Sequence, residues 1–260
     1  MKQKKKSPIK DKTLRYVGQS LDERINKLIN EDAVPYIIVG FMMVCFAGYE
    51  WWRYFKNPSP HPITVSFAVV IIVLFCAYRV KKIFKQVKAV KLGRDGERAV
   101  GQYLENLREK GHRIFHDLLG DNFNLDHVII SRKGIYVIET KTYSKPAKGE
   151  AKIGFDGEKL TIKDFEIQSK PIIQVKAASN WLKNILLETT GKSFLVKPVI
   201  LFPGWYIEST DQGKKSEVWV LNPKALPSFI ENQPDIISQE DLMLASFHIS
   251  RYIRTKDAAA

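Results

Sequence analysis

Cysteine is almost missing from this chain of 260 residues. Cys45 and Cys76 are the whole supply, and both sit inside apolar runs. Two such residues do not make a disulfide scaffold, and burial as small hydrophobes is the role they suit. Histidine is scarce too, at five residues, and no Cys/His set stands outside the apolar runs, which argues against structural zinc. Several catalytic signatures are absent: the chain has no Gly-x-Ser-x-Gly elbow and no zinc-protease His pair. Gly191-Lys192-Ser193 looks like the end of a phosphate-binding loop, but that motif needs glycine where Leu186 stands. Acidic residues are outnumbered, 28 Asp and Glu against 41 Lys and Arg, for a net charge of +13. Such an excess favours polyanions, either nucleic acid or an anionic membrane surface.

Charge is absent from two long stretches. Val34–Tyr49 and Ile63–Tyr78 each run sixteen residues without a charged side chain. A spanning helix needs roughly 20 residues, and each run reaches that length with its flanks. Trp51, Trp52, Tyr54 and Phe55 lie beside Glu50 and Arg53, the mixture typical of a membrane–water interface. Asn57-Pro58-Ser59-Pro60-His61-Pro62 reads as a turn. The prediction is a transmembrane helical hairpin over 34–80. Lysines crowd Met1–Lys12, and Arg79, Lys81, Lys82, Lys85, Lys88, Lys91 and Arg94 follow the second run. The positive-inside rule therefore predicts a multi-pass protein of the cell inner membrane with both termini cytoplasmic. The basic stretch 81–92 reads as a juxtamembrane linker suited to anionic lipid.

Thr13–Asp32 carries Leu14, Val17, Leu21, Ile25, Leu28 and Ile29 at spacings of three and four. It completes, with the basic tail, a segment 1–33. Its apolar face could lie on the membrane, on the soluble domain or on another subunit, so lipid, a partner protein or a homo-oligomer are all open partners.

The stretch around which the chain is organised is Leu125–Thr142. It reads as strand Leu125–Ser131, turn Arg132-Lys133-Gly134 and strand Ile135–Lys141. Alternation on a strand puts Glu139 and Lys141 on one face. A hairpin brings Asp126, near the start of the first strand, towards Glu139. Two carboxylates and a lysine converging at one sheet edge suit a hard cation such as Mg²⁺ with a cationic helper. Glu150-Ala151-Lys152 repeats the triplet without an apolar strand before it, so the triplet alone says little.

These strings, Gly93-Arg94-Asp95-Gly96-Glu97, Leu125-Asp126-His127, Gly134-Ile135-Tyr136-Val137-Ile138-Glu139-Thr140-Lys141 and then Gln174, resemble the nuclease-related domain (NERD) family of the PD-(D/E)xK nuclease superfamily. The resemblance covers Lys91 to Gly204. One departure is Lys170-Pro171, where the family often has Asn-Pro. The resemblance implies an α/β, restriction-endonuclease-like mixed sheet with flanking helices. It implies Asp126 and Glu139 as ligands of Mg²⁺ or Mn²⁺, Lys141 as the catalytic lysine, Glu97 as an accessory acid and Gln174 as a residue positioning water or phosphate. On its own residues, Glu97 also reads as a helix-dipole cap and Gln174 as a solvent-facing side chain.

The remaining elements follow from periodicity. Gly93–Lys110 predicts a helix with Val100, Leu104 and Leu107 inward, and Arg113–Leu118 a strand, with His112 and His116 as ordinary surface or edge residues. Tyr143–Glu150 is a polar loop offering Lys145 and Lys148 to phosphates. Ala151–Phe165 is a hairpin turning at Asp156-Gly157. Ser169–Leu187 is a helix with Ile173, Ala177, Trp181 and Ile185 inward. Val196–Pro203 and Glu217–Leu221 are strands, and Ser238–Thr255 is a helix bearing Leu242, Leu244, Phe247 and Tyr252. The catalytic-looking domain spans 93–235, with a terminal helix and tail at 236–260. The leading expectation is a membrane-anchored, metal-dependent deoxyribonuclease, DNA being favoured over RNA. The alternative is a tethered module that binds nucleic acid, nucleotide or a partner without cutting.

Overall fold

A computed structural model describes residues 13–57, 61–121, 123–145, 150–162, 165–167 and 169–259. The lysine tail 1–12, the turn residues Pro58–Pro60 and Lys148 lie outside them. The chain divides into two compact units, Met1–Gln19 with Asp95–Ala260, and Ser20–Arg94.

In the unit Ser20–Arg94, α1 (Gln19–Lys27) runs through one π-helical stretch, Leu28–Ala33, into α2 (Val34–Lys56). The helix expected from Thr13 therefore starts later, and of its apolar stripe only Ile25 is buried. Pro62 opens α3 (Pro62–Glu105), which continues without a break through the basic stretch 81–92 and past Gly93. Proline at a helix start is favourable because its missing N–H has no partner there in any case. α2 and the first part of α3 run antiparallel. Trp51 Nε1 donates to Ser66 Oγ at 2.9 Å, while at the other end Tyr36 meets Phe75 edge-on, rings 6.2 Å apart. The helical stretches Gln19–Lys56 and Pro62–Lys110 are long and apolar enough to cross a membrane. Phe41, Met42, Phe67 and Leu74 stand exposed on the pair, as side chains facing lipid would.

The other unit is built on a five-stranded mixed sheet. Its strands are β1 (Arg113–Leu119), β2 (Asn124–Ser131), β3 (Gly134–Thr140), β7 (Val196–Leu201) and β9 (Trp219–Leu221), in that spatial order. β1, β2 and β3 are antiparallel neighbours, and β3–β7 and β7–β9 are parallel. A second sheet has the order β6-β5-β4-β8, from β4 (Lys152–Phe155), β5 (Leu160–Ile162), β6 (Phe165–Ile167) and β8 (Tyr206–Ser209). The β4–β5 hairpin turns as expected at Asp156-Gly157. Asp156 Oδ1 accepts from the backbone N–H groups of Glu158 and Lys159 at 2.9 and 2.7 Å, an Asx-type turn.

The large sheet is covered on both faces, which is why its strands read as near-continuous Val/Ile runs. On one face Val128, Ile130, Ile135, Val137 and Ile200 pack with α4 (Lys170–Thr190) and α7 (Gln239–Ala259). On the other, Ile129, Tyr136, Ile138, Val199 and Leu201 pack with Val100, Leu104 and Leu107 and with α6 (Leu226–Glu231). A four-residue helix, α5 (Asp211–Lys214), caps the region after β8. The terminal helix, set apart on composition as 236–260, contributes Leu242, Ala245, Ile249 and Ile253 to the same core.

The inward face of α4 differs from expectation. On α4 the buried stripe is Ile172, Val175, Ala178, Ser179, Leu182 and Leu186, and Ile173 and Ala177 are exposed. The helix carries two overlapping apolar stripes, and the sheet selects the one whose side chains fit its surface. On α7 Phe247 is exposed while Ala245 and Ile249 are buried.

Gly96 explains how closely α3 approaches the sheet. A Cβ there would fall 1.7 Å from Thr142 Oγ1 and 2.8 Å from Thr142 Cβ. Gly96→Ala gains about 1 kcal/mol of helix propensity, but the collision costs about 1–3 kcal/mol. The variant is expected to melt several degrees below the parent, and Gly96→Ala/Thr142→Gly to recover most of the loss. A Gly96→Ala Tm at or above the parent's would show that α3 can move away freely.

Candidate active site

The β2–β3 hairpin pairs His127 with Ile138 and Ser131 with Gly134, so the next position puts Asp126 across from Glu139. Alternation places both, with Lys141, on the α4 side of the sheet. Asp126 Oδ2 accepts from the Thr140 backbone N–H at 2.6 Å. Lys141 Nζ donates to Glu139 Oε1 at 2.6 Å and to Gln174 Oε1, on exposed α4 surface, at 3.3 Å. The Lys141 N–H continues the ladder beyond β3, donating to the Leu201 carbonyl at 2.9 Å, which holds that residue at the sheet edge.

Glu97 arrives from the helix on the opposite face. Since α3 begins at Pro62, Glu97 lies well inside a helix and not in its first turn, so dipole capping does not account for it. It is buried. Burial, then the charges of Asp117 and Glu139, push its carboxyl from 4.5 up to about 8, against a downward pull from Lys141. Asp126 is also raised well above the ordinary carboxylate range, first by burial and then by Glu139 and Glu97, despite the Thr140 N–H. Burial would lower Lys141, but the charge and hydrogen bond of Glu139, with Asp126, more than offset it and raise the ammonium's affinity for its proton. Three carboxylates thus act on one another beside the Lys141 ammonium. Such crowding is relieved by protons or by a cation. Among the described residues no group of three or more His, Cys, Asp or Glu side chains stands in metal-holding geometry.

Sequence reasoning missed a layer behind this edge. His112 and His116, read as surface or edge residues, are both buried. His116 Nδ1 lies 2.8 Å from His127 Nδ1, and His116 Nε2 lies 2.6 Å from Glu105 Oε1. The arrangement that satisfies both contacts has His127 Nδ1–H donating to His116, and His116 Nε2–H donating to Glu105. Burial lowers both imidazoles, His127 well below its ordinary value. The signal was a mirrored pair, His116-Asp117 and Asp126-His127, which an antiparallel register sets side by side. Asp117 is buried with its backbone at φ 52°, a left-handed conformation that Asp tolerates better than most residues. Its carboxylate accepts from Arg15 Nε at 2.8 Å.

Residues 92–203 match the family model described as nuclease-related domain. Glu97, Asp126, Glu139, Lys141 and Gln174 all lie within the matched region. A 56-residue stretch is 34% identical to an uncharacterized protein of Bacillus anthracis, covering 20% of this chain and 26% of that relative. The chain thus spans about a quarter of the length of that relative. No solved structure matches the chain.

Glu97 gives a pH prediction. Its folded-state pKa lies above the unfolded one, so its contribution to stability is full below about 4.5 and is lost as pH rises through about 8. With EDTA present, stability should fall across that window by on the order of a few kcal/mol, and Glu97→Gln should flatten the slope. Urea melts at pH 5, 7 and 9 measure this. Parallel pH profiles for parent and variant would rule out the assignment.

Proposed function

We propose that this protein is a membrane-anchored, metal-dependent nuclease that hydrolyses DNA phosphodiester bonds at the Asp126–Glu139–Lys141 edge. The observation that carries the reading is the crowding of Glu97, Asp126 and Glu139 at the exit of one hairpin, with Lys141 bonded to Glu139. The nuclease-related domain at 92–203 and the net charge of +13 support it.

The donor set fits a hard divalent ion. Asp126 and Glu139 would hold Mg²⁺ or Mn²⁺ through carboxylate oxygens, leaving other positions to water and substrate phosphate. Such an ion, when bound, acidifies water and offsets phosphate charge. Lys141 carries the proton-rich side of the site. Relieved of Glu139, its ammonium faces the scissile phosphate, where it stabilises developing negative charge or exchanges a proton with the attacking water. Gln174 orients that water or a phosphate oxygen. Glu97 adds negative charge beside the two ligands and strengthens their hold on a cation. The sheet order and mixed strand directions accord with the restriction-endonuclease-like arrangement. The two long apolar helices would anchor the domain to the inner membrane, with both termini on the cytoplasmic side where DNA is met.

The test uses the full chain in detergent, beside Lys141→Ala, with plasmid, linear and single-stranded DNA in Mg²⁺, Mn²⁺ or EDTA. The parent should cleave, EDTA should abolish cleavage, and Lys141→Ala should cleave about 100-fold or more slowly while binding DNA within about threefold of the parent. DNA bound but never cut by either protein would replace this reading with that of a tethered binding module.

A further inference from the structure

Two basic connectors of the sheet-bearing unit lie side by side. Lys110-Gly111-His112-Arg113 leads out of a helical stretch into β1, and Ser131-Arg132-Lys133 turns β2 into β3. The pairing of Arg113 with Ile130 brings them together, at the end of the sheet away from Glu139 and Lys141. β3 is seven residues long, so about 20 Å separate the two ends. Between the connectors is a cavity of about 440 Å³, within the size range of small-ligand sites. Arg108, Lys110, Arg113, Arg132 and Lys133 line it, and Asp235 is the one carboxylate in its wall among the described residues. Arg132 and Lys133 share that carboxylate, at 3.1 and 3.5 Å. Outside the wall, Glu105 pairs with Arg108 and Glu231 with Lys110. Arg113 meets no carboxylate among the described residues, and its guanidinium has only Met243 Sδ, at 3.9 Å. His112 completes the wall. It is only 9% exposed, and among the described residues its imidazole has no hydrogen-bond partner. Burial lowers its proton affinity, and the charges of Lys110 and Lys133 lower it further, against Glu231. A neutral imidazole with a donor to offer therefore faces a net positive cavity.

We propose that this cavity binds a phosphomonoester, either the phosphate of a free nucleotide or the phosphorylated end of a nucleic-acid chain. The two charges left over by five cations and three carboxylates match the roughly −1.5 to −2 of a phosphomonoester at pH 7. A phosphodiester carries a single charge and has a sugar on either side, so it approaches His112 poorly. Arg113 and Arg132 offer planar forks to phosphate oxygens, and the His112 N–H donates to another, which satisfies a buried polar group that otherwise costs stability. The site is separate from the Asp126–Glu139–Lys141 edge and does not depend on that edge cutting anything.

Binding would be measured by calorimetry on the full chain in detergent with EDTA, at about 0.15 M salt. The probes are inorganic phosphate, adenosine, adenosine 5′-monophosphate, and a short oligothymidylate with and without a 5′-phosphate. The parent should bind the phosphorylated probes and not adenosine. Arg113→Gln should weaken them by about tenfold. Asp235→Asn, which removes the competing carboxylate, should tighten them by about threefold or more. His112→Phe should weaken them by about threefold or more with no fall in Tm, because no hydrogen bond of the unliganded protein is lost. Lys141→Ala should leave these affinities as they are. A mononucleotide bound with no preference between the two oligonucleotides assigns the site to free nucleotide, and a preference for the 5′-phosphorylated oligonucleotide assigns it to a chain end. Binding that ignores the phosphate, or that follows Lys141→Ala and not Arg113→Gln, overturns the site. So does Asp235→Asn without a gain in affinity, even where Arg113→Gln shows a loss.

Discussion

Repulsion among carboxylates at one end of a sheet is the constraint that the rest of the sheet-bearing unit serves. Asp126 and Glu139 are fixed by hairpin register, Glu97 by a helix on the other face, and Asp117 by the neighbouring strand. Bringing four acids together in partly dry surroundings opposes folding. The chain answers with Lys141 on Glu139, Arg15 on Asp117 and the Thr140 N–H on Asp126. What is left over appears as the elevated proton affinity of Glu97 and Asp126. A structural site would have placed apolar groups here at lower cost. The proposed cation site would draw on that imbalance.

The two-faced sheet makes that imbalance tolerable. Its interior is closed by α4 and α7 on one side and by the end of α3 and α6 on the other, and that burial supplies the stabilisation against which the acidic edge is set. Close approach is achieved by removing side chains where elements meet. Gly96 admits Thr142, and Gly101 admits Val17. Both glycines lie on the same helix near Glu97, so the small residues are there to set how near the carboxylate comes. The His116–His127 pair, bonded onward to Glu105, fills the sheet behind Asp126 with polar groups whose burial disfavours their charged form.

Legibility in the sequence followed the range of the interactions. The β2–β3 hairpin, the Asp156-Gly157 turn and the inward Val100, Leu104 and Leu107 were readable because each depends on residues a few positions apart. Glu139 and Lys141 shared a face by alternation alone. The inward face of α4 was not readable, because two stripes of similar hydrophobicity compete on the helix and only the shape of the sheet separates them. The start of α3 was misplaced because glycine at 93 and 96 signals a break, whereas the neighbours of this helix favour continuing it. His116 was read as an edge residue since nothing local announces a partner eleven positions away.

By itself, the sequence determined the hairpin, the spacing of its charged exit, the two uncharged runs and the basic balance, since these are properties of near neighbours and of composition. The tertiary structure decided which acids meet and what compensates them. It carried Glu97 in from a helix, aimed Gln174 at Lys141 and folded Arg15 back on Asp117 across 102 residues. Electrostatic energy depends on separation in space and on burial, and neither is written in the order of residues along the chain.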